Sequence, residues 1–322
     1  MKKLAIICRV DNGGLGTLSK YFVKHLKPDK IMSVISGLKA FPDRFPNAMV
    51  VNNPPSDAEC SEFLKDIDIL LAWETPYNWN IFRMAKQKDI KTIMFIDYEW
   101  LAEPIPFMPD LLVNPSNWYM DNLPSNSVHI PCPVDREVHP FKLREKALTF
   151  LHIVGHGGSH GRNGTAEFLQ AIPLVKSPCK FIIHSQVKID TINDSRIEWR
   201  IGNYMDESCM FKDADVLVYP RKFAGLSLPL NEAMSHGLAI MMSDMNPQNQ
   251  FLHKDLLIPV SETTTIKIFR EIELGSISPQ AIADKIDLIA GKDITEYSKY
   301  SDKWAESISW KTLKARISAL FE

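Results

Sequence analysis

The 322-residue chain predicts an α/β protein built on two doubly wound parallel sheets. Three observations carry this expectation. Short apolar, β-branched runs alternate with segments of helical spacing along nearly the whole length, the pattern of strands joined by crossover helices. Several of those runs, such as Ile67–Trp73 and Leu148–Val154, are apolar almost throughout and read as buried strands. With 45% hydrophobic residues, the chain is also long enough for two packed domains.

In the N-terminal half, Lys3–Cys8 predicts a strand. It leads to Asp11-Asn12-Gly13-Gly14-Leu15-Gly16 and then a helix carrying Leu18, Phe22 and Leu26 on one face. Glycines let backbone approach a ligand closely, and a helix start favours negative charge, so Gly13, Gly14 and Gly16 are binding candidates. Strands are expected at Lys30–Ile35, Ala48–Val51, Ile67–Trp73, Lys91–Ile96, Leu111–Asn114 and Ser127–Ile130. Helices are expected at Asp57–Lys65, Trp79–Lys88 and from Ser116. Trp73, Glu74, Asp97, Tyr98 and Glu99 then gather beyond strand ends, the ligand face of such a sheet. That acidic and aromatic group suits sugar hydroxyls and ring faces. Asp97 or Glu99 is placed to orient a hydroxyl or take its proton. Pro131, Pro133 and Pro140, with the charged run Lys142–Lys146, predict a solvated linker.

The C-terminal half starts with the strand Leu148–Val154 and the loop 155–164, where Gly157, Gly158 and Arg162 precede a helix over Thr165–Val175. Backbone amides and a cation at a helix start would cradle a diphosphate. Cys179–His184 and Ile197–Ile201 are further strands, and Met205–Lys212 a helix. Asp215–Tyr219 leads through the loop Pro220–Gly225, which carries Arg221, Lys222 and Gly225, into a helix over Leu226–His236 whose first turn holds Leu226, Ser227 and Leu228, with Gly237 as its C-cap, and then the strand Leu238–Met242. Two cations thus stand beside a helix start, and Glu232 lies about two turns along the helix, where a carboxylate can accept hydrogen bonds from a ribose diol. An anion site beside a diol site describes a nucleoside diphosphate pocket. Thr264–Glu271, Pro279–Ala290, Glu296–Trp304 and Leu313–Phe321 predict amphipathic helices.

Composition excludes several classes. A net charge of −2 gives no global field for nucleic acid or an anionic membrane. The N-terminal apolar run is too short for a secretory signal, and no stretch reaches transmembrane length. The five scattered cysteines, without a CxxC pair, read as small buried hydrophobes of a reducing cytoplasm, and no metal set or bound cofactor is expected.

The run Pro220-Arg221-Lys222-Phe223-Ala224-Gly225-Leu226-Ser227-Leu228-Pro229-Leu230-Asn231-Glu232-Ala233 resembles the donor-binding motif of GT-B glycosyltransferases of the retaining, glycogen-synthase-like group. Glu232 matches the second glutamate of that motif, which the resemblance assigns to the ribose. The first, which holds donor-sugar hydroxyls, falls on Ala224. Gly13, Gly14 and Gly16 match the family's N-terminal glycine loop, and Ile130-Pro131-Cys132-Pro133-Val134-Asp135 its end-of-domain signature. Arg162 matches the lysine that neutralises the leaving diphosphate, while His156 stands where arginine is usual. The turn near Arg200–Asn203 would face the nucleobase.

The resemblance implies two Rossmann-like domains facing across a cleft. The first, 1–140, would bind the acceptor, and the second, 141–305, the nucleotide sugar; the final helix, about 306–322, would cross back. It further implies a metal-independent retaining transfer from a nucleotide sugar, UDP-linked first and GDP- or ADP-linked next, to a hydroxyl. Arg162 and Lys222 would act on the leaving group and Asp97 and Glu99 on the acceptor. Transfer to a modified base in DNA, a non-catalytic donor-binding protein motivated by Ala224, and a sugar-nucleotide epimerase stand as alternatives.

Overall fold

The computed structural model describes residues 2–156, 161–204 and 207–322. Gly157 and Gly158, two of the expected phosphate-loop residues, lie outside the described residues. The chain divides into two compact units: Met1–Cys132 with Ile268–Arg270 and Lys314–Glu322, and Pro133–Lys267 with Glu271–Leu313.

The first unit holds a seven-stranded sheet of β1 (Leu4–Arg9), β2 (Lys30–Ile35), β3 (Met49–Asn52), β4 (Ile69–Trp73), β5 (Lys91–Phe95), β6 (Leu111–Asn114) and β7 (Ser127–His129). All neighbours pair in parallel, in the order β3-β2-β1-β4-β5-β6-β7. Helices α1 (Gly14–Leu26), α2 (Asp57–Phe63) and α3 (Asn80–Gln87) make the crossovers. Ser56 starts α2 with a capping box closed by Glu59, so its first amides are satisfied. Phe22 of α1 sets its ring edge-on against Trp73 and Phe95, whose rings stack 4.2 Å apart. Burying each such side chain contributes about 1.5–3 kcal/mol. The helix expected from Ser116 is only a 3₁₀ turn, Met120–Asn122.

The second unit holds β8 (Thr149–Gly155), β9 (Lys180–Ser185), β10 (Ile197–Ile201), β11 (Val216–Tyr219), β12 (Ala239–Ser243) and β13 (Leu257–Ile258). They form a parallel sheet in the order β10-β9-β8-β11-β12-β13. Helices α4 (Thr165–Ala171), α5 (Leu228–Ser235), α6 (Pro279–Ile289) and α7 (Thr295–Ser307) follow, and α8 runs over Trp310–Ser318. Phe150, Phe168 and Phe181 are fully buried at the centre of this unit's core.

Two further expectations are corrected. Thr264–Glu271 is not a helix: β14 (Glu262–Lys267) pairs antiparallel with β15 (Glu271–Ser276). The run Thr263-Thr264-Thr265-Ile266 is β-branched, which loses χ1 freedom in a helix and suits a pleated ribbon. In β15 Ile272 is buried while Glu271 and Glu273 are exposed, so the side chains alternate with period two. Nor is the 142–146 run wholly solvated. Arg144 is buried and donates from Nη1 to Lys212 O at 3.1 Å and from Nη2 to Phe211 O at 3.2 Å. Its fork satisfies carbonyls that a lysine could not take in pairs.

Helix α5 closes at the C-cap His236, with Gly237 one residue beyond it. Gly237 has φ +76°, and its amide donates to Met234 O at 3.0 Å. A Cβ there would sit 2.4 Å from Lys142 O. Gly237→Ala is therefore expected to destabilise the protein by ~2 kcal/mol or more, since left-handed strain and a backbone clash add. Urea unfolding checks this; an unchanged midpoint would overturn the assignment.

Candidate functional site

In an open parallel sheet, ligands bind beyond the strand ends where the strand order reverses. In the second unit that point lies between β8 and β11. The loops that leave these strands are 155–164 and 220–227, the two that carry the predicted cations. They are joined directly. The amide of Lys222 donates to Arg162 O at 2.8 Å. Gly164, at φ +66°, presses on the second loop so closely that a Cβ would lie 2.1 Å from Pro220 O. Only glycine allows that approach.

The side chains on these loops divide into support and surface. Arg221 is buried; it donates from Nη1 to Leu226 O at 2.9 Å and lies over the Tyr219 ring. Its carbonyl accepts from Ser243 Oγ. Arg221 thus braces the loop through Gly225 and Leu226, while Phe223 and Ala224 anchor it in the core. Lys222 is half-buried and pairs with Glu167 in the first turn of α4, Nζ to Oε1 2.6 Å. Arg162, whose backbone carbonyl accepts the Lys222 amide, is half-buried. Ser227 is the N-cap of α5, yet its side chain makes no capping bond, and Leu228 opens the helix. Among the described residues, Ser227 Oγ, Glu167 Oε2 and Asn163 Oδ1 are solvent-inaccessible without a hydrogen-bond partner. Asn163 and Ser227 lie on the two adjoining loops and Glu167 in the first turn of α4.

Glu232 lies on α5 and is 8% exposed. Its Oε1 stands 3.6 Å from Nε2 of His139, a fully buried residue. His139 Nδ1 in turn meets His236 Nε2 at 3.1 Å. Asp135 makes the turn that delivers His139. Its Oδ1 accepts from Glu137 N and its backbone carbonyl from His139 N.

The floor of the site is pinned by His152 of β8. Nδ1 faces Val218 O of β11 at 2.9 Å and Nε2 faces Thr165 Oγ1 at the start of α4, also at 2.9 Å. A carbonyl only accepts, so Nδ1 carries the proton and the Thr165 hydroxyl donates to Nε2. Farther along the strand ends, His184, Gly202 and Tyr204 help line a hollow of about 460 Å³ with Arg200 and Lys212. This is where the Arg200–Asn203 turn was expected to face a base. His184 stacks on Tyr204 with ring centroids 4.9 Å apart and meets Gly202 O through Nε2 at 2.9 Å. Burial holds the His184 imidazole below its ordinary value, the Gly202 carbonyl opposing this.

In the first unit the order reverses between β1 and β4. The glycine loop lies there. Asp11, buried, accepts from Arg9 Nε at 2.6 Å and from Gly13 N at 2.7 Å, and Arg44 Nη2 reaches Asn12 Oδ1 at 2.5 Å. Gly14 opens α1, and Gly16 packs so tightly that a Cβ would fall 2.0 Å from Asp11 O. After β4, Glu74 and Tyr77 both take positive φ, a strained geometry of the sort ligand sites hold. Asp97 follows β5 and is half-buried. Glu99 is 1% exposed, not a solvated loop acid, and its carbonyl accepts from Phe269 N at 3.1 Å.

Sequence reasoning missed His139, His152 and Glu167. Nothing local marks them: His139 meets its imidazole partner across 97 residues of sequence. Among the described residues, no cluster of three or more His, Cys, Asp or Glu side chains could hold a metal ion. Nor is any helix among them long and apolar enough to cross a membrane.

No family model matches the chain, and no curated protein matches it in sequence. Solved structures do match in fold. HepE of Anabaena, solved with UDP-glucose, aligns with a TM-score of 0.72 over 100% of this chain and 99% of its own, at 9% identity. Sucrose-phosphate synthase of Thermosynechococcus elongatus aligns at 0.69 over 100% and 98%, at 12% identity. WaaG, a glycosyltransferase involved in lipopolysaccharide biosynthesis, aligns at 0.60 over 97% and 98%, at 11% identity.

Burial holds the His152 imidazole down to about 4 from 6.5, against the opposing pull of Val218 O and Glu167. Between those values the unfolded chain binds a proton that the folded chain refuses. The His152 contribution is therefore whole above pH 6.5 and lost as pH falls toward 4, roughly 3 kcal/mol in all. Urea midpoints measured from pH 7.5 to 4.5 should fall less steeply in His152→Gln than in the wild type; parallel curves would refute this. With that floor in place, the chain has the two-domain GT-B fold shared by the glycosyltransferases it aligns with.

Proposed function

We propose that the chain is a glycosyltransferase that moves a sugar from a nucleoside diphosphate sugar, UDP-linked, to a hydroxyl acceptor with retention at the anomeric carbon. One observation carries this most of the way. The two cation-bearing loops at the reversal point of the second sheet are tied by the Lys222 N to Arg162 O bond, which supports reading their charges as parts of one site. Breaking the bond from the anomeric carbon to the diphosphate leaves negative charge on phosphate oxygens. Lys222 and Arg162, fixed before the reaction, stabilise that charge. Ser227 Oγ, the Leu228 amide and the backbone from Gly225 to Leu226 add donors at the start of α5.

Buried acceptors argue for more than an anion. Glu167 Oε2, solvent-inaccessible without a partner among the described residues, can only accept a hydrogen bond. A bare phosphate offers it nothing, whereas a nucleotide sugar brings hydroxyls as well as charge. Glu232 takes the ribose diol, and the hollow beside Gly202 takes the base. In the first unit, Gly13, Gly14 and Gly16 with Asp97 and Glu99 form the acceptor side, where a carboxylate orients the attacking hydroxyl. That HepE was solved with UDP-glucose supports uridine as the first nucleotide to try.

Glu232→Ala is expected to weaken UDP binding by about 1–3 kcal/mol, because the diol would leave hydrogen bonds unmade. Calorimetry with UDP checks this. Equal affinities would remove Glu232 from the ribose site, and failure of the wild type to hydrolyse or transfer from any nucleotide sugar would overturn the enzymatic reading.

A further inference from the structure

We propose that His139, held in turn by His236, is the positioning residue that fixes the Glu232 carboxylate for the ribose of a nucleotide. The inference rests on the reading of Glu232 as ribose ligand and adds the group that makes it one.

A glutamate side chain has three rotatable bonds and loses substantial freedom when it must hold one pose. A carboxylate that binds a diol well must therefore be fixed by something else. Here His139 Nε2 stands 3.6 Å from Glu232 Oε1, and His139 is fully buried. The imidazole cannot drift. Its other nitrogen meets His236 Nε2 at 3.1 Å, its carbonyl accepts from Ser235 Oγ, and its ring packs edge-on against Phe211, centroids 6.0 Å apart. His236 itself stacks on Phe211 at 5.2 Å.

Glu232 Oε1 and His139 Nε2 stand 3.6 Å apart, just beyond hydrogen-bond length, and the proposal places the His139 proton on Nε2, facing the carboxylate. Its Nδ1 is then the acceptor, and His236 Nε2–H is the donor that fixes this tautomer. The arrangement uses Oε1 of Glu232 inward and assigns Oε2 to the ribose hydroxyls. His236 and Glu232 lie one turn apart on α5, where His236 N donates to Glu232 O at 3.0 Å. One short helix thus supplies the ligand and the far end of its brace, and the segment after Asp135 supplies the residue between them.

The test compares UDP with 2′,3′-dideoxy-UDP by calorimetry on the wild type, His139→Leu, His139→Gln and Glu232→Ala. Glutamine places an amide N–H near the position of Nε2, so it can still hold the carboxylate. We expect His139→Leu to raise the Kd for UDP about tenfold and leave that for the dideoxy nucleotide within twofold. His139→Gln should recover UDP affinity to within threefold of the wild type. A structural role alone would move both nucleotides alike and would give no glutamine rescue, and that result overturns the inference. So does a loss with Glu232→Ala that His139→Leu does not share. If Glu232→Ala itself leaves UDP affinity unchanged, the ribose reading fails first and this inference with it. Should His139→Leu not fold, His236→Asn, which removes the Nε2 donor at similar volume, is measured in its place, with the same selective loss for UDP expected and equal affinities for the two nucleotides overturning the proposal.

Discussion

A single backbone hydrogen bond, from Lys222 N to Arg162 O, sets the geometry on which the rest of the second unit's site depends. Two loops that leave neighbouring strands need not converge. Positive charge on each would drive them apart. The bond, together with the contact of Gly164 on Pro220, holds them together. Preorganisation of this kind is what makes fixed charge useful to a reaction, since no reorganisation is then needed as the leaving group departs.

The supports of that bond come from several places in the chain. His152 ties β8 to β11 and α4 beneath the loops. Arg221 donates to Leu226 O inside the loop. The β14–β15 ribbon adds a third hold, since Gly275 N donates to Lys222 O at 2.9 Å. Gly275 approaches so closely that a Cβ would meet Met245 Sδ at 2.2 Å. Lys222 is therefore gripped on both sides of its peptide, by Arg162 through the amide and by Gly275 through the carbonyl. Its ammonium is left to Glu167.

Much of this was legible in the sequence, and the part that was not has a physical pattern. Strands such as Ile69–Trp73 and Ala239–Ser243, buried along their whole length, show because a buried parallel strand must be apolar over its own few residues. The strand–loop–helix unit that carries the loop cations and Glu232 shows because its strands are locally apolar and Gly237 marks the helix end; that these residues hold a ligand is our proposal. The hairpin at Glu262–Ser276 was misread because an apolar count at helical spacing outweighed the threonine run; the β-branched residues carried the better signal. Arg144 was read as solvated because charge runs usually are, while its partners, Phe211 and Lys212, lie far along the chain. His139, His152 and Glu167 share that difficulty. Each takes its meaning from a partner that only the folded sheet brings near.

The Lys222–Glu167 pair bears on what kind of ligand the site can hold. A carboxylate placed among cations lowers the positive potential that a phosphate would meet, so a site evolved for a simple anion gains nothing from it. An ion pair this shielded is worth little to stability, because desolvation offsets the attraction. The same pair becomes useful when the ligand carries both phosphate and hydroxyl groups. In that case Glu167 can meet hydroxyl donors while Lys222 keeps its place beside the phosphate, so neither charge need be stranded. The presence of an acceptor-only side chain beside the cations thus argues for a sugar-bearing nucleotide over a bare phosphate, on the chemistry of this loop alone.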